Sequence, residues 1–148
     1  MAKMRSALRI MVAVFAFSVP PNYLWEVAQM PLYVVDGTPL QFAAHCIVPS
    51  LGDGVWVVTI FAIGWAVFQR LNWFFRPGFN AFCLMLMTGF IISVLIEWLA
   101  VYQINRWSYT ASMPILPWVN VGLSPVLQMM LLPPLIFKAA SWWMGRSR

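Results

Sequence analysis

Three acidic residues occupy positions where a carboxylate is expensive. Glu26, Asp53 and Glu97 each fall within a long apolar stretch, and Asp36 alone among the four acidic residues lies in a connection between such stretches. An ionisable group at membrane depth costs about 2.5 to 3.5 kcal/mol on insertion scales and marks proton, ion or substrate chemistry. The single histidine, His45, opens one of these stretches and is a further acid/base candidate. Polar side chains accompany the carboxyls at helical spacing. Asn22, Glu26 and Gln29 recur at i, i+4, i+7, and Asn120, Ser124 and Gln128 at i, i+4, i+8, so each set forms one stripe on one helix face.

The elements that must carry these stripes follow from composition. Of the 148 residues 62% are apolar or aromatic and 9% charged, against about 25% charged in a soluble domain, which excludes a soluble monomer. A spanning helix needs about 20 mainly apolar residues. Stretches 8–35, 41–68, 79–103 and 116–137 meet that length, with connections too short for a second domain, so a single all-α, four-helix transmembrane bundle over 1–148 is expected. The run Leu8 to Val19 behind Lys3 and Arg5 has the charge and length of a signal-peptide core, but Pro20-Pro21-Asn22 is no small-x-small cleavage site, so it reads as an uncleaved first span. Proline removes a backbone donor and clashes with the preceding turn, so Pro20-Pro21 should break or kink the first helix just before Asn22. Pro49, Gly52 and Gly54 should loosen the second around Asp53.

Positive charge sorts by side. Lys3, Arg5, Arg9, Arg70, Arg76, Lys138, Arg146 and Arg148 fall on one side and Arg106 on the other, so both termini are expected in the cytoplasm of a multi-pass protein of a bacterial inner membrane. At about 1.5 Å per residue from the outer helix ends, Glu26 lies about 13 Å deep, His45 about 6, Asp53 about 18 and Glu97 about 9, while Asn120, Ser124 and Gln128 lie at about 6, 12 and 18. Stripes of this kind must face other helices or water, so the four helices should enclose one polar cavity open to the outside.

Several chemistries are excluded. The basic residues are scattered singly, which speaks against nucleic acid. Cys46 and Cys83 lack CxxC spacing, one histidine cannot supply bis-histidine haem ligation, and no nucleotide, flavin or metal motif occurs, so neither cofactor nor metal is expected.

Two segments resemble known families. Asn22-Tyr-Leu-Trp25-Glu26, continuing to Gln29 and Tyr33, resembles the Asn-x-x-Trp-Glu helix of membrane-bound terpene cyclases, which implies a glutamate that protonates an isoprenoid. Glu97-Trp98, Arg106-Trp107-Ser108-Tyr109, Met113-Pro114 and Gly122-Leu123-Ser124-Pro125 resemble the Glu, Trp-x-Tyr, Pro pattern of membrane carotenoid-synthesis proteins. The whole pattern also resembles small bacterial integral membrane proteins.

The expected activity is therefore acid/base: an isomerase or cyclase acting on an apolar lipid or isoprenoid. Desolvation favours the neutral, proton-donating form of a carboxyl group. Glu26 would be the acid, with Glu97, Asp53 or His45 as base and relay. Asn22, Trp25, Gln29, Arg106, Trp107, Tyr109, Asn120, Ser124 and Gln128 would hold the substrate, Arg106 serving as an interface anchor or holding an anionic headgroup. Two alternatives stand beside this one. The first is a proton- or cation-coupled transporter or binding protein, working as a homo-oligomer; the second is an accessory subunit of a larger membrane complex.

Overall fold

Long apolar stretches in this chain do form long helices. In the computed structural model, which describes residues 2–34 and 37–146, α1 spans Ala2–Gln29, α2 Pro39–His45, α3 Ile47–Phe68, α4 Phe79–Trp98 and α5 Leu123–Arg146. Val35, where the first span is expected to end, Asp36 and Arg148 lie outside the described residues. Four segments, Lys3–Leu32, Leu40–Phe68, Phe79–Gln103 and Leu123–Gly145, are long and apolar enough to cross a membrane, and the protein is a multi-pass integral membrane protein.

The helices alternate in direction around a ring. α1 packs on α3 and α5, α4 packs on α5, and α3 meets α4 more sparingly. Small residues permit the close approaches, as membrane helices require. A Cβ on Gly89 of α4 would stand 2.0 Å from the Met129 carbonyl oxygen of α5, and one on Gly54 of α3 would stand 2.9 Å from the Ser18 hydroxyl of α1.

The two ends of the ring are built differently. At one end the α3–α4 loop folds inward. The indole of Trp73 donates to the Phe61 carbonyl at 3.2 Å and lies against Gly64. Phe61, Trp73, Phe74 and Phe137 are each buried, with ring centroids 5.2 to 5.6 Å apart across the Phe61–Phe74, Trp73–Phe137 and Phe74–Phe137 pairs. No buried side-chain nitrogen or oxygen lacks a partner among the described residues. At the other end the connections are polar. Thr38 caps α2 with a reciprocal pair, its hydroxyl accepting from the Gln41 amide and the Gln41 side chain accepting from the Thr38 N–H at 2.8 Å. The connection after α1 then pairs with the one after α4, through Val34 N–H to Ser108 and Thr110 N–H to Leu32, both 2.9 Å.

Three expectations change at this level. α1 runs unbroken through Pro20-Pro21, where a break was expected before Asn22. The Ser18 hydroxyl donates to the Phe15 carbonyl and the Asn22 amide to the Ser18 carbonyl at 2.9 Å, so side chains flanking the prolines bond backbone oxygens of the turn before them. The expected second span is divided, α2 ending at His45 and α3 beginning at Ile47, so Pro49 lies in the first turn of α3 where no intrahelical donor is lost, and α3 runs unbroken past Gly52 and Gly54. The last helix begins at Leu123 rather than near Leu116 and continues through Pro133-Pro134 to Arg146. Ile115–Leu116 and Val121–Gly122 instead form a two-stranded antiparallel turn, with Trp118 (φ 71°) and Asn120 (φ 54°) in the left-handed region that a helix cannot include. Beyond the prolines Phe137, Ala140 and Met144 stay buried on one face, which keeps the final turns packed and helical.

Candidate functional site

Opposite the plug the bundle encloses a cavity of about 550 Å³ between α3 and α4, with α1 and α5 behind it. That volume falls within the range of about 300–1,000 Å³ typical of small-molecule sites. Glu26, Asp53, Glu97, Gln29 and Gln128 all reach it, from four different helices, and Phe42, Trp56, Ile96 and Met129 supply apolar wall.

The floor is a carboxyl pair held in a cradle of amides. The Glu26 and Asp53 carboxyls lie close enough to interact, and both belong to one amide network. Gln128 Nε2 donates to Asp53 Oδ2 at 2.8 Å and to Asn22 Oδ1 at 3.0 Å. Gln29 Nε2 donates to Glu26 Oε1 at 2.9 Å and to Gln128 Oε1 at 3.1 Å. Behind them Trp25 Nε1 donates to Ser124 Oγ at 3.3 Å, and Ser124 in turn donates to Gln29 Oε1 at 2.8 Å. Both hydrogens of each glutamine are used, so neither amide can turn over without setting oxygen against oxygen. The chain of donors runs from Trp25 toward the carboxyl pair.

Glu97 forms a second centre nearer the connections. Its Oε2 accepts from the Tyr109 hydroxyl and, at 3.4 Å, from the Trp107 indole, while the Tyr33 ring stands close by. Tyr109 is fixed from the far side by the Gly122 N–H at 3.0 Å, and Tyr33 pairs with it across the two connections, rings 5.6 Å apart. Burial first, and then proximity to Glu97, pushes both phenols well above their ordinary pKa, so both stay neutral and Tyr109 donates to the carboxyl. A wide turn at Leu99–Gln103, just past Glu97, brings the following strand back over the cavity, with Arg106 N–H bonded to the Ala100 carbonyl at 2.7 Å.

The expected site residues therefore divide three ways. Glu26, Asp53, Glu97, Gln29, Gln128 and Trp107 line the cavity; Asn22, Trp25, Ser124 and Tyr109 brace those that do. Arg106 and His45 belong to the rim. His45 is exposed, and its Nδ1 is turned to the Gln41 carbonyl of its own helix at 2.6 Å, away from the carboxyl pair it was expected to serve. Asn120 does not join at all. It lies in the turn before α5, exposed, with its carbonyl accepting from Tyr102, so the stripe it was expected to start begins at Ser124. Tyr33, Gly52, Trp56 and Ser93 line the cavity without having been singled out as site residues. Gly52 and Trp56 bracket Asp53 at one residue before and three after, and that helical neighbourhood was the available signal.

Comparison of the chain with protein-family models, with characterised proteins and with solved structures finds no match.

Proposed function

We propose that this protein is a membrane-embedded acid/base enzyme, an isomerase or cyclase, acting on an apolar lipid or isoprenoid in the cavity between α3 and α4. The observation that carries the reading is the Glu26–Asp53 carboxyl contact at the floor of a largely apolar chamber. A pair sharing one proton offers an acid and a base side by side. Glu26 gives its proton to one carbon of a substrate double bond, leaving positive charge on the neighbouring carbon. Asp53, as carboxylate, takes a proton from the carbon beyond, and the double bond re-forms one position along. One proton has left the pair and one has returned, so no co-reactant is consumed. Glu97 and the faces of Trp56 and Trp107 steady the intermediate charge. Lipid extracts of cells with and without the protein test this reading: an isomerised or cyclised isoprenoid is expected only in the first, and identical extracts overturn it.

A second reading is favoured by the run of carboxyls from Asp53 and Glu26 to Glu97 along one cavity: proton- or cation-coupled binding or transport. Unchanged lipids together with altered tolerance to cations would select it.

Both readings take the termini as cytoplasmic, α1 as bent at its prolines and the cavity as facing outward in a bacterial inner membrane, on the eight-to-one charge split. With Cys46 and Cys83 replaced, a thiol reagent that cannot cross the membrane is expected to label Ser112→Cys from outside and to leave Arg76→Cys unmodified. Labelling of Arg76→Cys alone reverses the orientation.

A further inference from the structure

The cavity wall reaches the lipid-facing surface through α3. Val48 and Trp56 line the chamber yet remain 64% and 37% exposed, so the same side chains face both cavity and membrane. Between them Gly52 leaves a gap: a Cβ built there meets no atom within 4 Å. α3 also meets α4 more sparingly than it meets α1. Charge is distributed along the cavity as well. Three carboxyls occupy the interior, whereas Arg106 stands on the rim, its guanidinium 5.9 Å from the Trp107 ring centroid and without an ion pair among the described residues. Among the described Lys and Arg residues it is the one at this end of the bundle, away from the ends that carry the others.

We propose that the cavity takes a single-chain amphiphile with an anionic head, admitted sideways from the membrane between α3 and α4, with its head on Arg106 and its chain passing Gly52 toward Glu26 and Asp53. The polarity follows from the charges. An anionic head is attracted to the rim and repelled from the carboxyl floor, so only the apolar part reaches the acids. Arginine suits a phosphate or carboxylate head because its planar fork donates two parallel hydrogen bonds. The proposal names a substrate class for the acid/base reading and rests on it for what becomes of the chain; the binding itself does not depend on turnover.

The test uses the full chain in lipid nanodiscs and dodecyl phosphate carrying a mid-chain diazirine, with the corresponding dodecanol and dodecylamine probes. On illumination the phosphate probe is expected to label the segments 48–56 and 93–97 saturably, about tenfold more than either comparison probe. Arg106→Gln is expected to lower its labelling about tenfold, to the level of the alcohol, and Arg106→Lys to restore part of it. Gly52→Leu, which adds bulk where no atom stands, is expected to cut labelling by all three probes about tenfold with unaltered elution and thermal unfolding. Preferential labelling by the amine, or labelling indifferent to Gly52→Leu, overturns the proposal. Competition by inorganic phosphate at millimolar concentration also overturns it, by assigning the rim to a free anion. A protein that captures the phosphate probe as described but leaves cellular lipids unchanged retains this binding site and loses the acid/base reading.

Discussion

Glu26→Gln is expected to fold as the wild type does and to lose at least about a hundredfold in turnover, the lower end of what a positioned general acid contributes. Folding survives because glutamine keeps the acceptor that Gln29 Nε2 uses and fills nearly the same volume. Turnover fails because an amide N–H cannot be given up to carbon. Asp53→Asn is expected to match it in size, and the double variant to be little worse than either single one, since the two carboxyls work as a unit. The measurement is product formation in membranes carrying equal amounts of folded protein. If these carboxyls only bridged helices, both variants would be silent, so a fully active Glu26→Gln protein removes the pair from the chemistry.

Gly89→Ala is expected to be among the most damaging single-methyl changes in the chain. Alanine is the better helix former by about 1 kcal/mol, yet the new methyl would lie 2.0 Å from a carbonyl oxygen and 2.8 Å from a carbonyl carbon of Met129. Those atoms belong to helix backbone and cannot rotate away, so α4 and α5 must separate. A net loss of about 3 kcal/mol, at the upper end of ordinary overpacking, is expected in reversible detergent unfolding. Activity should fall as well, because Met129 neighbours Gln128, whose bond to Asp53 is 2.8 Å. Gly145→Ala, with nothing within 4 Å of the added carbon, is the matched control and is expected to be neutral within about 0.5 kcal/mol. Equal stabilities for the two variants would show that the α4–α5 approach is looser than described.

How much of this was readable from the sequence depends on whether a residue's neighbours are set by helix periodicity or by the meeting of distant connections. Asn22, Glu26 and Gln29 repeat at the helical period, and so do Ser124 and Gln128, so their common faces follow from spacing alone. Counting residues from the helix ends put Asp53 and Gln128 at the same depth, and they are hydrogen-bonded. Asn120 fits the same arithmetic and fails, because the period continues on paper across a turn whose left-handed residues end any helix; the signal was Pro117 and the Gly122-Leu-Ser-Pro125 start that follows. Tyr33 was beyond reach for a different reason. It approaches Glu97 only because its strand pairs with Tyr109, 76 positions away in numbering, and no local pattern encodes such a pairing. The unbroken α1 departs from what proline's helix propensity implies.

The aromatic plug makes the bundle one-ended. Phe61 of α3, Trp73 and Phe74 of the α3–α4 loop and Phe137 of α5 close one mouth, while Gly52 lies nine positions from Phe61, about 14 Å along α3. Between the two, α3 stays against α1, where Gly54 leaves no room for a Cβ. The molecule is thus built as a cup: stoppered where it is apolar, and open where it holds its acids.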